Sequence, residues 1–261
     1  MTIAAIVGLT ACRVDATVEF TTDRAGVGAV TVTVTADAEV VQAAPELAAD
    51  VRLADLQAAG WKVEGPSPQP DGGLSLVLRR AVTTPQDATA VLEQLSGPDG
   101  PFRNLVVTQQ RSFANVTTKV TGAIDVTRGL SGLIDVKVAQ LLGGAPYAQT
   151  LAERNLTLDQ VFDLRFVATT PGAVQATDGV TFPATGSGLD ELSTVEWRAI
   201  VPASGSRPIN LESALRDLGA QNARRWRDFT PWAAAAWAVF FLAVVLPVVH
   251  LVTRSRRRRG L

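Results

Sequence analysis

The sequence is poor in the residues most reaction chemistries need. Its 261 residues include one cysteine, one histidine, one methionine and one tyrosine. A single cysteine, Cys12, forms no disulfide within one chain and, with one histidine, builds no Cys/His zinc site. The histidine, His250, stands in a C-terminal apolar run, so no Ser-His-Asp arrangement is available to the rest of the chain. Aromatic residues make up 6% and charged residues 19% of the chain. Hydrophobic residues make up 47%, which excludes an unfolded polar chain. No metal site and no cofactor are expected.

Basic charge is scarce in the body and concentrated at the end. Eight of the 24 basic residues lie from Arg224 onward, against one of the 25 acidic residues, Asp228. The body before them therefore holds 24 acidic and 16 basic residues, a net charge near −8. An acidic body argues against a nucleic-acid partner.

The longest feature is apolar. Pro231 to Val252 reads PWAAAAWAVFFLAVVLPVVHLV, 22 positions with His250 the only ionisable one. At roughly 1.5 Å per residue, a helix of this length spans a bilayer core of about 30 Å. Trp226, Phe229, Trp232 and Trp237 gather toward its start as an interfacial belt, and Pro247 is tolerated in a membrane helix. Arg254, Arg256, Arg257, Arg258 and Arg259 follow it, against Arg224, Arg225 and Arg227 before it. The positive-inside bias places residues 253–261 in the cytoplasm as a basic tail and topology anchor, with the body outside the cell membrane.

The other end reads MTIAAIVGLTAC. Leu9-Thr10-Ala11-Cys12 resembles a bacterial lipobox. There the cysteine thiol takes the diacylglyceryl group, and small residues before it admit the peptidase. Cys12 then becomes the acylated first residue of the mature protein and residues 1–11 a removed signal segment. No Lys or Arg precedes Cys12, so the segment reads as the tail of a longer signal peptide.

Between the anchors the pattern is α+β: mainly an antiparallel sheet with two or three helices packed on one face, followed by the membrane helix. VDATVEF and AVTVTVTA alternate as a hairpin around Asp23 to Gly28. Leu47, Val51, Ala54 and Ala58 predict a helix over 46–59, stopped by Gly60. WKVEG and LSLVLRR are strands around GPSPQPDGG. Thr84, Pro85 and Asp87 start a helix that buries Val91, Leu92 and Leu95 and stops at Gly97. Strands follow in NLVVTQQRSF, VTTKVTGAIDV and LIDVKVA, then in QVFDLRFVATTPGAV and TVEWRAIV. LLGGAPYAQ is a loop or short apolar helix, and Asn210 caps a juxtamembrane helix over 209–230. The ectodomain divides into 12–140 and a strand-rich continuation, 141–208.

No catalytic motif emerges. Asp190 and Glu191 in GSGLDEL read as a solvated turn. GPDGP and LLGGAP lack the context of a phosphate loop, and RGLSGL lacks G-x-S-x-G spacing. The expectation is a non-enzyme, with a carboxylate-only catalyst as the minor alternative. Leu130, Leu133, Ile134, Val136, Val138, Leu141 and Leu142 form a candidate apolar ligand groove, or ordinary core.

The lipobox, the hairpin, the helix ending AAGWKVEG, TTPQDATAVLEQLSG, TPGAVQATDG, VEWRAIVPASG and the terminal apolar run together resemble the LppM family of actinobacterial envelope lipoproteins. The resemblance implies an extracytoplasmic α+β domain associated with envelope lipids or glycolipids and, in pathogenic mycobacteria, with the host. It implies no catalytic residue. Two readings follow: a membrane-anchored lipoprotein whose outer domain binds lipid or glycolipid, or a non-enzymatic scaffold for an envelope protein partner.

Metabolic labelling tests the first anchor. Palmitate is expected to label the wild-type chain and to be lost in Cys12→Ala; an unlabelled wild type would remove the lipobox reading.

Overall fold

The computed structural model describes residues 13–43, 53–96, 100–113, 115–127, 162–199 and 206–216. All belong to the compact unit Met1–Arg216. Cys12, the candidate groove between Leu130 and Leu142, the expected strand LIDVKVA, the apolar run 231–252 and the arginine tail lie outside the described residues. Among the described residues, no helix is long and apolar enough to cross a membrane.

The chain opens with the expected hairpin, β1 (Val14–Thr22) and β2 (Gly28–Ala36), paired in register from Val14↔Ala36 to Thr22↔Gly28. Asp23 organises the turn by accepting the Ala25 and Val27 amides. Asp37 then caps a short helix, α1 (Ala38–Ala43), by accepting the Val40 amide at 2.9 Å. The helix expected over 46–59 is described as α2 (Leu53–Ala58) and ends where expected, with Gly60 at φ +87°.

Strands β3 (Lys62–Pro68) and β4 (Leu74–Val82) follow. Helix α3 (Pro85–Ser96) is built as its sequence predicts. Thr84 accepts the Asp87 amide, the Asp87 carboxylate returns to the Thr83 amide, and Val91 and Leu92 are fully buried.

Strands β5 (Phe102–Ser112) and β6 (Asn115–Ile124) form a second hairpin. Next come β7 (Phe162–Pro171), β8 (Ala173–Thr177), β9 (Val180–Thr181), β10 (Leu192–Ala199) and β11 (Arg207–Arg216).

The strands sort into two sheets instead of the single sheet expected. One runs β3-β4-β2-β1-β7-β10-β9 and the other β5-β6-β11-β8. All pairings are antiparallel except β1 with β7. Strands from either side of residue 140 share both sheets, so neither sheet belongs to one of the two expected halves, 12–140 and 141–208. One apolar core joins the inner faces and takes in α3: Phe20, Val30 and Trp197 from the first sheet, Leu105, Val120 and Ile209 from the second. Phe166 of the first sheet lies 5.9 Å from both Phe102 of the second and Trp197, with the rings tilted at 60° and 45°.

The helix expected over 209–230 is corrected at its start. Arg207–Arg216 is a strand, paired along its whole length with β6. Leu211 and Leu215 fit both periods, but Ile209, Leu211, Ser213 and Leu215 are all buried in strand alternation. Two waiting strand partners, β6 and β8, outweigh a helix propensity worth a few tenths of a kcal/mol per residue.

The free edges are blunted. Pro66 and Pro68 remove donors from β3, while β8 and β9 are short. Beside β5, the Thr89 hydroxyl of α3 accepts the Val107 amide at 3.0 Å and lies 3.3 Å from the Val107 carbonyl oxygen. The Gln109 side-chain amide of β5 donates to the Asp23 carbonyl.

Phe166→Ala is expected to destabilise the domain by about 3–5 kcal/mol, because its ring ties the two inner faces together. Denaturant unfolding with an unchanged m-value measures this; a loss below about 1 kcal/mol would show the two faces cohere without it.

A candidate functional site at the amino pole

Register defines the two ends of the sandwich. At one end lie the starts of β1, β7 and β11 and the finish of β10: Val14 pairs with Phe162, and Leu164 with Ala199. Arg207 reaches back across the β10–β11 connection to donate to the Arg198 carbonyl at 2.8 Å. We call this end the amino pole.

The amino pole carries the densest charge network among the described residues. Asp15 and Asp163 sit side by side on the parallel strands β1 and β7, and the next outward positions supply Arg165 and, on β10, Arg198. Period-two alternation puts all four on the outer face of the larger sheet. Two adjacent carboxylates repel each other, so this arrangement is tolerable only if cations are interleaved. They are. The Asp163 carboxylate accepts from Arg198 Nε at 2.7 Å, Arg13 Nη2 at 2.9 Å and Arg165 Nη2 at 3.1 Å. Asp15 pairs with Arg13 at 2.9 Å and with Arg165 at 3.5 Å. The Arg13 amide donates to Asp37 at 2.7 Å.

Burial and charge set the titration of the group. The Asp163 side chain is 6% exposed, and desolvation pushes its carboxyl upward. The hydrogen bond from Arg198 and the charges of Arg165 and Arg198 more than offset this, leaving it below the ordinary carboxylate range. Arg13 is held above its ordinary value, chiefly by its hydrogen bond to Asp15. Three arginines (Arg13, Arg165, Arg198) thus meet two carboxylates (Asp15, Asp163). Arg198 remains 56% exposed while anchored, so its planar fork faces water in a fixed position. Such a group suits phosphate or carboxylate recognition.

None of the residues singled out from sequence as sites falls in this cluster. Cys12 precedes it by one position, and the groove and tail residues lie outside the described residues. Asp190 lies in the 3-10 turn Gly188–Asp190 and is exposed, as the solvated-turn reading of GSGLDEL expects. The network itself is hidden in the sequence because directly bonded members, Arg13 and Asp163, are 150 positions apart. The only local signals were the alternating charges of FDLR and the RVD after Cys12.

No family model and no curated protein matches the sequence. Among solved structures, the NMR structure of the LppM folded domain of Mycobacterium tuberculosis is similar at 11% identity and a TM-score of 0.41, covering 80% of this chain and 94% of that one.

The pH dependence follows from the depressed carboxyl of Asp163. A folded value below the unfolded one gives stability that is present above the unfolded pKa, about 3.9, and lost as pH falls through the lower folded value. Asp163→Asn is expected to flatten this acid limb. At neutral pH it costs about 1–3 kcal/mol, because three arginines lose a shared carboxylate and face a neutral amide with one acceptor oxygen. Urea unfolding at several pH values reads both; an unchanged acid limb would show that other groups set it.

Proposed function

We propose that the chain is a non-enzymatic, membrane-anchored envelope lipoprotein whose extracytoplasmic domain binds lipid or glycolipid at the bilayer surface. The observation that carries this is the fixing of Arg13. The residue directly after Cys12 is held by hydrogen bonds to Asp37, Asp15 and Asp163, so no slack separates the expected acyl anchor from the sandwich. An acylated Cys12 brings the amino pole against the headgroups, and Arg165 and Arg198 meet phosphate there. Exposed guanidinium groups on an anionic leaflet are each worth about 1 kcal/mol. The apolar run 231–252 supplies the second anchor, and its arginine tail the cytoplasmic side.

The scaffold reading has less support. Strand addition needs a long free edge, and the described edges carry prolines, are short, or are covered by α3.

Native mass spectrometry of the full chain extracted in mild detergent is expected to show retained envelope lipid. Anionic species should fall several-fold in the double variant Arg165→Gln, Arg198→Gln. A wild-type chain that carries no lipid, and whose NMR spectrum no envelope lipid shifts, would overturn lipid binding.

A further inference from the structure

The interior of the sandwich changes chemistry at the end opposite the amino pole. β11 starts at the amino pole with Arg207 and reaches this far pole at Arg216, which pairs with Asn115 at the start of β6. On the inner face of the larger sheet, register sets the side chains of β1, β7 and β10 in rows across the strands. Ala16, Leu164 and Ala199 form the row nearest the amino pole. Val18, Phe166 and Trp197 form the next, then Phe20, Ala168 and Val195. The fourth row is Thr22, Thr170 and Ser193. Thr170 pairs with Ser193, and Thr22 and Thr170 come one step after the pair Thr21 and Thr169. The smaller sheet follows the same plan. Val120 pairs with Leu211, and one row farther out Thr118 pairs with Ser213.

These last rows put hydroxyls where the others put apolar groups. Thr22, Thr118, Thr170, Ser193 and Ser213 are all buried, and among the described residues Asp163 is the only other buried polar one. The two rows meet on one side. Gln109 Nε2 donates to Thr118 Oγ1 at 3.2 Å and to the Asp23 carbonyl at 3.1 Å, and the Thr22 hydroxyl donates to that carbonyl at 3.3 Å. The sheets meet again at the β7–β8 corner, where Gly172 lies against the Ala214 backbone. Gly172 is two residues past Thr170, and Ala214 one past Ser213. Between these two ties, Thr170 Oγ1 and Ser213 Oγ are buried with no hydrogen-bond partner among the described residues.

Burying a hydroxyl without a partner is costly, and valine has nearly the shape of threonine without that cost. Valine fills inward positions elsewhere in the same strands, at Val18, Val120 and Val195. Facing sheets stand about 10 Å apart, so Thr and Ser leave about 5 Å between their hydroxyls where longer side chains meet. One water taking two hydrogen bonds spans about 5.5 Å. We propose that Thr170 and Ser213 bind a structural water between the sheets, in a hydroxyl-lined site closed by the Gly172 corner. Thr118 and Ser193 border the site and supply the further hydrogen bonds that a buried water takes. The ligand is neutral because no charged side chain belongs to either row. The water joins the two sheets where their side chains are too short to touch.

Oxygen-17 relaxation dispersion of the full chain in detergent micelles tests the site, because it detects long-lived water and is blind to exchanging hydroxyl protons. Thr170→Val and Ser213→Ala are each expected to lose the amplitude of about one water per chain, and Thr170→Ser to keep it. A double-mutant cycle in urea gives a second readout. With one water shared by two hydroxyls, the Cm falls in either single variant, and the second substitution then costs much less than the first. Equal dispersion amplitude in all these chains overturns the proposal. So does a rise in Cm on Thr170→Val, the result for a hydroxyl buried without any partner. Strictly additive losses would show that the two hydroxyls share no water, and overturn the bridge.

Discussion

The architecture turns on one corner. β7 ends at Pro171 in the first sheet and β8 begins at Ala173 in the second, with Gly172 between them at φ +83°. A Cβ there would stand 2.3 Å from the Ala214 carbonyl carbon, far inside any tolerable contact. Only glycine lets the chain take this positive φ while passing so close to β11. Its amide donates to the Glu191 carbonyl, which fixes the start of β10 at the same corner. The placement of β8 against β11 follows from it, as does the margin that β9 and the following turn trace along β10.

Charge at the amino pole obeys a second constraint. The parallel pairing of β1 with β7 puts Asp15 beside Asp163. A one-residue slip would turn every inward Val and Phe outward, and the register the strands keep sets the two carboxylates together. The three arginines resolve the conflict. They leave Asp163 buried and ionised, and leave themselves partly in water. A network of this kind adds little net stability, because desolvation offsets most of the attraction. Its consequence is geometric: cationic groups from β7, β10 and the residue before β1 are held in one place, directly behind the expected acylation site.

Local signals were readable wherever they were chemical. Asp23 to Gly28 reads as a turn and is one; Thr84, Pro85 and Asp87 start α3; Gly60 ends α2. The alternation in VDATVEF and AVTVTVTA places Val18, Phe20, Val30 and Val32 inside. The start of the expected juxtamembrane helix is a strand instead, because Leu211 and Leu215 serve either period and only the presence of β6 and β8 decides between them. The charged cluster was illegible for a different reason. Arg13, Asp163 and Arg198 carry no mutual spacing signal, since strand order, not sequence distance, makes them neighbours.

By itself the sequence determined the class of elements, the caps and turns, the acidic body and the two candidate anchors at its ends. These follow from side-chain chemistry acting over a few residues or over one long apolar run. Tertiary structure alone decided that there are two sheets, that β11 is a strand, that the carboxylates and arginines converge, and that the chain enters and leaves at opposite poles. Each of these depends on which strand lies beside which. That choice is made by burying one shared core, and the free energy of that burial belongs to no single segment.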